Sequence, residues 1–278
     1  MKHHRITTNG TTLHAVEDGP ADGAPILLLH GFPETWWSWR HQIPELVKAG
    51  YRVIAMDLRG YGESDKNGPY DFDTATADVL GLLDHFGLSK VRLVGHDWGG
   101  VLGWYMTSHQ SARFERFVAI NAPHGRVFRK ALKKFSQIKR SWYIFAFQIP
   151  WVGERMIIRN NGAVVPRAIR GSTADRNAIS KKDVEPFREA LLQPGAATAM
   201  LGWYRAAAKF KKSADAITIP VKLIWGMNDT ALGYDDCVPG TEKYVSELTI
   251  TKLEGLGHFC HEEAPARVTP EILSFFRS

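Results

Sequence analysis

The stretch Val91-Arg92-Leu93-Val94-Gly95-His96-Asp97-Trp98-Gly99-Gly100 decides how this chain is read. Val91–Gly95 is a short apolar run, the pattern of a strand buried on both faces. Trp98–His109 follows it directly and reads as a helix. Between the two lies the form Gly-x-Asp-x-Gly. It is a sharp strand-to-helix turn that strains its central residue and lifts the Asp97 side chain out of the sheet. Glycines two residues to either side let the backbone pass closely. The helix N-terminus behind it offers N–H groups and a positive dipole end to an anion. A carboxylate here limits the chemistry. A serine attacking saturated carbon would leave a stable ether, whereas an aspartate leaves an ester that water cleaves at the Asp97 carbonyl. The turn therefore suits attack at sp³ carbon followed by hydrolysis, and argues against ordinary esterase, lipase or peptidase activity. Taken alone, it is equally a structural Asp in a Gly-rich turn.

Similar apolar runs recur outward from this point: Ile26–His30, Val53–Met56, Phe117–Asn121, Val221–Trp225 and a last one at Leu248–Leu253. Arg5–Glu17 alternates apolar and polar residues about Asn9-Gly10, a hairpin signature. Thr74–Phe86 carries Ala75, Val79, Leu82, Leu83 and Phe86 at helical spacing, with Asp73 as N-cap and Gly87 as terminator. Pro270–Phe276 belongs to a terminal helix. The alternation predicts an α/β fold: an eight-stranded, mostly parallel sheet with right-handed crossovers and helices on both faces. Gly125–Lys212 breaks the rhythm, being helical in tendency and rich in Trp, Tyr, Phe, Lys and Arg. The expected organisation is a core of residues 1–124 and 213–278 with a helical cap, 125–212, inserted between two core strands.

Composition narrows the class. The chain has 278 residues, 44% apolar and 23% charged, as in an ordinary globular protein. It lacks a run of about 20 apolar residues, so no integral membrane segment is expected. The N-terminus has no apolar signal core, and Cys237 and Cys260 cannot form a disulfide framework, so a reducing cytoplasm is the expected location. No Cys/His cluster has zinc spacing, and neither a metal nor an organic cofactor is expected. Residues 125–212 hold 19 Lys+Arg against 5 Asp+Glu, a balance of +14, while the rest holds 16 against 24, or −8. A basic face docking on an acidic body accounts for this, and a nucleic-acid partner is not expected. Phe128, Leu132, Phe135 and Ile138 alternate with Arg and Lys over Phe128–Arg140 as in an amphipathic helix, read here as a cap helix with its apolar side on a pocket. Attachment to an anionic membrane is the competing reading.

Three further motifs complete a site. His30-Gly31-Phe32-Pro33 follows a strand, and the backbone N–H groups of Phe32 and Trp98 are placed to form an oxyanion hole. His258, in Gly257-His258-Phe259 after the last strand, is the candidate base for activating water. Asp229, in Trp225-Gly226-Met227-Asn228-Asp229, is the candidate acid that holds its imidazole. The alternative acid position, Asn121-Ala122-Pro123-His124, carries no carboxylate. Asp57–Asp65 reads as a packed structural loop.

HGFPETWWSWR, DLRGYGESD, GHDWGG, NAPH, WGMND and a late GH occur in an order that resembles the α/β-hydrolase superfamily, specifically its epoxide hydrolase branch, over essentially the whole chain. The resemblance implies two cap tyrosines that donate hydrogen bonds to the epoxide oxygen. Tyr143, in WYIFAFQIP, and Tyr204, in WYR, stand in the matching contexts. The expected substrate is a small lipophilic or aryl epoxide, converted to a vicinal diol as in detoxification. Glu34 and His124 are candidates for positioning water or for structural support. Haloalkane or haloacid dehalogenation by the same triad is the alternative. Phe32 stands where haloalkane dehalogenases often carry a halide-holding Asn, and Trp98 where fluoroacetate-type dehalogenases typically carry Arg. A homodimer remains open.

Overall fold

The apolar runs become strands of one sheet in the computed structural model, which describes residues 1–207 and 216–277. The strands are β1 (Lys2–Thr8), β2 (Thr11–Asp18), β3 (Pro25–Leu29), β4 (Arg52–Met56), β5 (Val91–His96), β6 (Phe114–Ile120), β7 (Val221–Gly226) and β8 (Leu248–Leu253). Their spatial order is β1-β2-β4-β3-β5-β6-β7-β8, with β1 and β2 antiparallel and β4 to β8 parallel throughout. Asn9 and Gly10 both take positive φ, as the predicted two-residue hairpin requires.

Side-chain alternation builds two apolar layers. Leu27 and Leu29 of β3 pack with Leu93, Phe117 and Leu223 against helices α2 (Phe72–His85) and α3 (Asp97–His109). Ile26 and Leu28 face the other way, with Val94, Val118 and Ile224, against α1 (Gln42–Lys48) and the C-terminal α13 (Pro265–Arg277). Residues 26–29 are wholly buried, each contributing about 1.5–3 kcal/mol relative to an exposed position. Helices thus cover both faces, as predicted. The start of α2 differs. The N-cap of α2 is Asp71, whose carboxylate accepts from the Thr74 N–H at 2.9 Å. Asp73 lies in the first turn instead and accepts from Tyr105 Oη at 2.5 Å. Burial of Phe72 in the core fixes this earlier start.

Between β6 and β7 the described residues form seven helices: α4 (Gly125–Ala131), α5 (Phe135–Arg140), α6 (Trp142–Gln148), α7 (Val152–Gly162), α8 (Val164–Gly171), α9 (Lys181–Leu192) and α10 (Ala196–Ala207). The expected boundary at 212/213 lies outside the described residues. The single amphipathic helix expected over Phe128–Arg140 is two helices, with Phe135 solvent-facing. A polar anchor sets the turn between them. Buried Gln137 donates to the Ala231 carbonyl at 2.8 Å and accepts from the Gly233 N–H at 3.1 Å, docking α5 beside α11 (Tyr234–Cys237). A short α12 (Cys260–Glu263) precedes α13. No helix among the described residues is long and apolar enough to cross a membrane.

Candidate active site

The site stands at the carboxyl ends of the parallel strands, where β5 turns into α3 and β7 and β8 run out into loops. Asp97 is the first residue of α3 and holds φ +46°, a left-handed conformation rare for a non-glycine residue. Close packing enforces the turn. A Cβ on Gly95 would lie 2.5 Å from the Gly99 carbonyl oxygen, and one on Gly99 would lie 2.3 Å from that of Leu29. Strand and helix can therefore approach only through glycine at both positions.

The sequence candidates converge on this carboxylate. The Phe32 N–H donates to Asp97 Oδ1 at 2.8 Å, leaving Oδ2 directed at His258, whose Nε2 is 3.6 Å away. On the far side of that ring, Nδ1 bonds Asp229 Oδ2 at 2.7 Å. Asp229 is fixed in turn. Its Oδ1 accepts from the N–H groups of Ala231 and Leu232, each at 2.8 Å, and its Oδ2 also accepts from Asn121 Nδ2 at 2.7 Å. Burial favours a neutral Asp229, yet His258 and these donors outweigh it and lower its pKa. Burial likewise opposes charge on His258, but Asp229 and then Asp97 overcome it and hold its pKa well above the ordinary imidazole value.

Tyr143 on α6 and Tyr204 on α10 lie with ring centres 6.2 Å apart. Tyr204 lies edge-on to Trp98 at 4.9 Å and to Phe32 at 5.3 Å, so the tyrosine pair and the Asp97 turn share one aromatic wall. Burial pushes both phenol pKa values far above 10; the Asp97 charge adds to this for both, and Tyr143 adds to it for Tyr204. Both tyrosines therefore carry their protons at neutral pH. Cross-links between helices hold them. Arg205 donates to the Phe147 carbonyl at 3.0 Å, and Gln148 to the Tyr204 carbonyl at 2.9 Å.

The two water-positioning candidates lie apart. Glu34 is buried; it accepts from the Gly31 N–H and pairs with His96 Nδ1, each at 2.8 Å. Burial alone would raise its pKa, but His96 and His261 outweigh it and hold it well below the usual carboxylate range. His96 Nε2 in turn bonds the His258 carbonyl at 3.0 Å, so Glu34 is linked to His258 through that residue's backbone. His124 stacks on Tyr244 at 4.7 Å and meets Trp104 edge-on at 5.4 Å, in a packing role beside α4.

Three residues near Asp97, Asp229 and His258 were not singled out from the sequence. Asn121, after β6, holds φ +42° and bonds both Asp229 and the Gly226 N–H, bridging two strand ends. His96 precedes Asp97 and bonds Glu34 and the His258 carbonyl. Tyr61 is fully buried; its hydroxyl makes no hydrogen bond among the described residues, and burial, then Asp97 and Glu34, raise its pKa. It sits in the Asp57–Asp65 loop, which otherwise is structural as expected: Asp57 accepts from His14, Trp36 N–H and Glu63 N–H at 2.7, 2.8 and 3.0 Å.

Two groups of described residues offer three ligand atoms within 4.8 Å of one another: His3, His14 and Glu63, and Glu34, His96 and His261. Each group contains a direct hydrogen bond, His3 to His14 at 2.9 Å and His96 to Glu34 at 2.8 Å, and each bond would have to open to admit an ion.

The sequence profile of the alpha/beta hydrolase fold family matches residues 24–265. The chain belongs to the α/β-hydrolase family. This α/β-hydrolase is 39% identical to the AB hydrolase superfamily protein YfhM of Bacillus subtilis, over 100% of this chain and 99% of that protein. It is 34% identical to human Epoxide hydrolase 4, over 98% of this chain and 78% of that one. It is 30% identical to Epoxide hydrolase A of Mycobacterium tuberculosis, over 97% and 95% respectively. Among solved structures it resembles an epoxide hydrolase of Bacillus megaterium, with a TM-score of 0.88 and 27% identity, covering 99% of this chain and all of that one.

Proposed function

We propose that this α/β-hydrolase is an epoxide hydrolase. It converts a lipophilic or aryl epoxide and water to a vicinal diol through an ester on Asp97, with residues 125–212 acting as the cap over the site. One observation carries the reading: a carboxylate at the strained turn, with His258 on one side and two protonated phenols packed against the Phe32 and Trp98 rings beside it. The names of the relatives above support the same reaction class.

In the first step Asp97 Oδ2 attacks an epoxide carbon and the C–O bond opens. Tyr143 and Tyr204 donate hydrogen bonds to the leaving oxygen, and one of them gives up its proton to the alkoxide. An alkoxide is a stronger base than a phenolate, and the burial that raises both phenol pKa values raises that of the new alcohol as well, so the proton passes to the alkoxide. Esterification cancels the charge on Asp97, one of the two anions that keep His258 protonated. The proton His258 then releases balances the one the phenol supplied. Neutral His258, oriented by Asp229, next takes a proton from water, whose oxygen attacks Asp97 Cγ. The Phe32 N–H, already on Oδ1, and the Trp98 N–H stabilise the oxyanion. Collapse expels the diol oxygen, which takes up the proton of the new hydroxyl as the carboxylate reforms. His258 is left protonated, as at the start. The aromatic rings of Phe32, Trp98 and Phe147 around Tyr204 suit an apolar substituent.

Incubation of the purified protein with styrene oxide and with 1-bromobutane tests the reading. Diol without bromide is the expected result. Bromide release without diol would replace it with dehalogenation.

A further inference from the structure

Seven of the ten large apolar side chains that face solvent among the described residues fall within Phe135–Ile158. Phe135 is 81% exposed, Trp151 80% and Trp142 59%. Aromatic rings each remove about 150–250 Å² from water when buried, and a concentration of them on a soluble surface marks a contact face. The face is also cationic. Lys139, Arg140 and Arg155 within the stretch, and Lys133, Lys134 and Arg159 at its two ends, are all exposed. From residue 116 to residue 174 there is one carboxylate, Glu154, and Arg205 clamps it with hydrogen bonds of 2.7 and 2.9 Å. From the neighbouring α11, Asp236 pairs with Lys134 at 3.0 Å, and the other five cations keep the balance strongly positive.

Helix α6 ties this face to the site. Trp142 and Phe145 look outward, while Tyr143 and Phe147, one and two positions further on, face Tyr204 at 6.2 and 5.0 Å. A single helix thus forms both the outer surface and the inner wall. Three occupants suit an apolar, cationic face in different degrees. A second copy would bring the same positive charge against itself across a two-fold interface. Single-stranded nucleic acid would use the aromatic rings and cations but leave Ile149, Val152 and Ile158 without a partner. An anionic bilayer satisfies all three kinds of side chain: aromatic rings at the headgroup level, aliphatic groups in the acyl boundary and Lys and Arg among the phosphates.

We propose that the outer face of α5, α6 and α7 docks on an anionic lipid surface. Docking sets α6 against the membrane, so that a lipophilic guest reaches the tyrosine wall from the lipid rather than from water; this last consequence rests on the epoxide reading, the docking does not.

Sedimentation with vesicles reads binding without turnover and so separates the two. The full-length protein is expected to sediment with phosphatidylcholine vesicles that contain phosphatidylglycerol. It should stay in the supernatant with phosphatidylcholine alone and be released by salt. Combining Lys133→Glu with Lys139→Glu should weaken binding roughly tenfold or more. Combining Trp142→Ser, Phe145→Ser and Trp151→Ser should abolish it, with the thermal midpoint unchanged because all three side chains are exposed. Three results would overturn the proposal: no binding of the parent protein to phosphatidylglycerol vesicles, undiminished binding by the triple serine variant, or a dimer that the serine changes dissolve in the absence of vesicle binding. Preferential capture of a single-stranded oligonucleotide by the same face would also overturn it.

Discussion

Replacing Asp229 by Asn exchanges one oxygen for an amide group, and the hydrogen bonds around it fix which one. Oδ1 accepts from two backbone N–H groups, those of Ala231 and Leu232, at 2.8 Å. The oxygen of the new amide must therefore stay there, and its NH₂ must take the place of Oδ2. That atom now accepts from both His258 Nδ1 and Asn121 Nδ2 at 2.7 Å, so the amide would face two donors. At the ester stage, neutral His258 can relieve its clash only by carrying its one proton on Nε2, which makes the atom that should accept from water a donor. A base in the wrong tautomer cannot take the proton of water. Loss of the acid's orientation in such triads costs roughly 10⁴-fold, or about 5.5 kcal/mol of barrier. The loss falls on ester hydrolysis, because alkylation uses Asp97 and the phenols. Asp229→Asn should thus accumulate alkylated protein to near one adduct per chain, visible by intact mass after rapid quenching, with hydrolysis slowed about 10³- to 10⁴-fold. Hydrolysis within tenfold of the parent rate, with no adduct, would refute the tautomer argument.

Tyr143→Phe combined with Tyr204→Phe should reduce the alkylation rate by about 10³-fold in pre-steady-state quenching, and each single change by roughly 10- to 100-fold, since either phenol still polarises the oxygen. Gly99→Ala should destabilise the protein by about 1–3 kcal/mol in urea unfolding, because its Cβ meets the Leu29 carbonyl at 2.3 Å. Gly125→Ala, on α4 with nothing within 4 Å, should be neutral or slightly stabilising. Burial, aided by Arg126, depresses the His124 pKa from the ordinary 6.5 to about 4. The unfolded chain therefore binds a proton that the folded one refuses between those values, and stability falls as pH drops from 6.5 to 4. His124→Phe should flatten this decline by about 1.4 kcal/mol per pH unit, about 3 kcal/mol in all, measured by unfolding across that range.

The layout of strands and the residues that meet at Asp97 were legible because each carries a local signal: runs of apolar residues, glycines flanking an acid, a histidine after the last strand. Features depending on which neighbours meet in space were not. Asp71 and Asp73 are both competent caps, and burial of Phe72 chooses between them. The helix expected over Phe128–Arg140 breaks because Gln137, a polar residue that apolar periodicity ignores, is drawn inward by Ala231 and Gly233. Asn121 looked like the absence of a carboxylate after β6. Its amide instead bonds the carboxylate after β7, about a hundred residues further along, and no sequence spacing reveals such a pairing. Tyr61 and His96 sat inside motifs whose glycines and acids drew the reading. Tyr143 and Tyr204 were found by resemblance alone, since nothing in their spacing says that α6 and α10 face each other.

The central chemical step leaves an isotopic record. With enzyme in excess over styrene oxide in heavy-oxygen water, one turnover should place the label in the Asp97 side chain, read by mass spectrometry of the peptide that contains it, while the first diol formed carries ordinary oxygen. Label found in that first diol, with the peptide unlabelled, would mean that water attacks the substrate directly and would contradict the account.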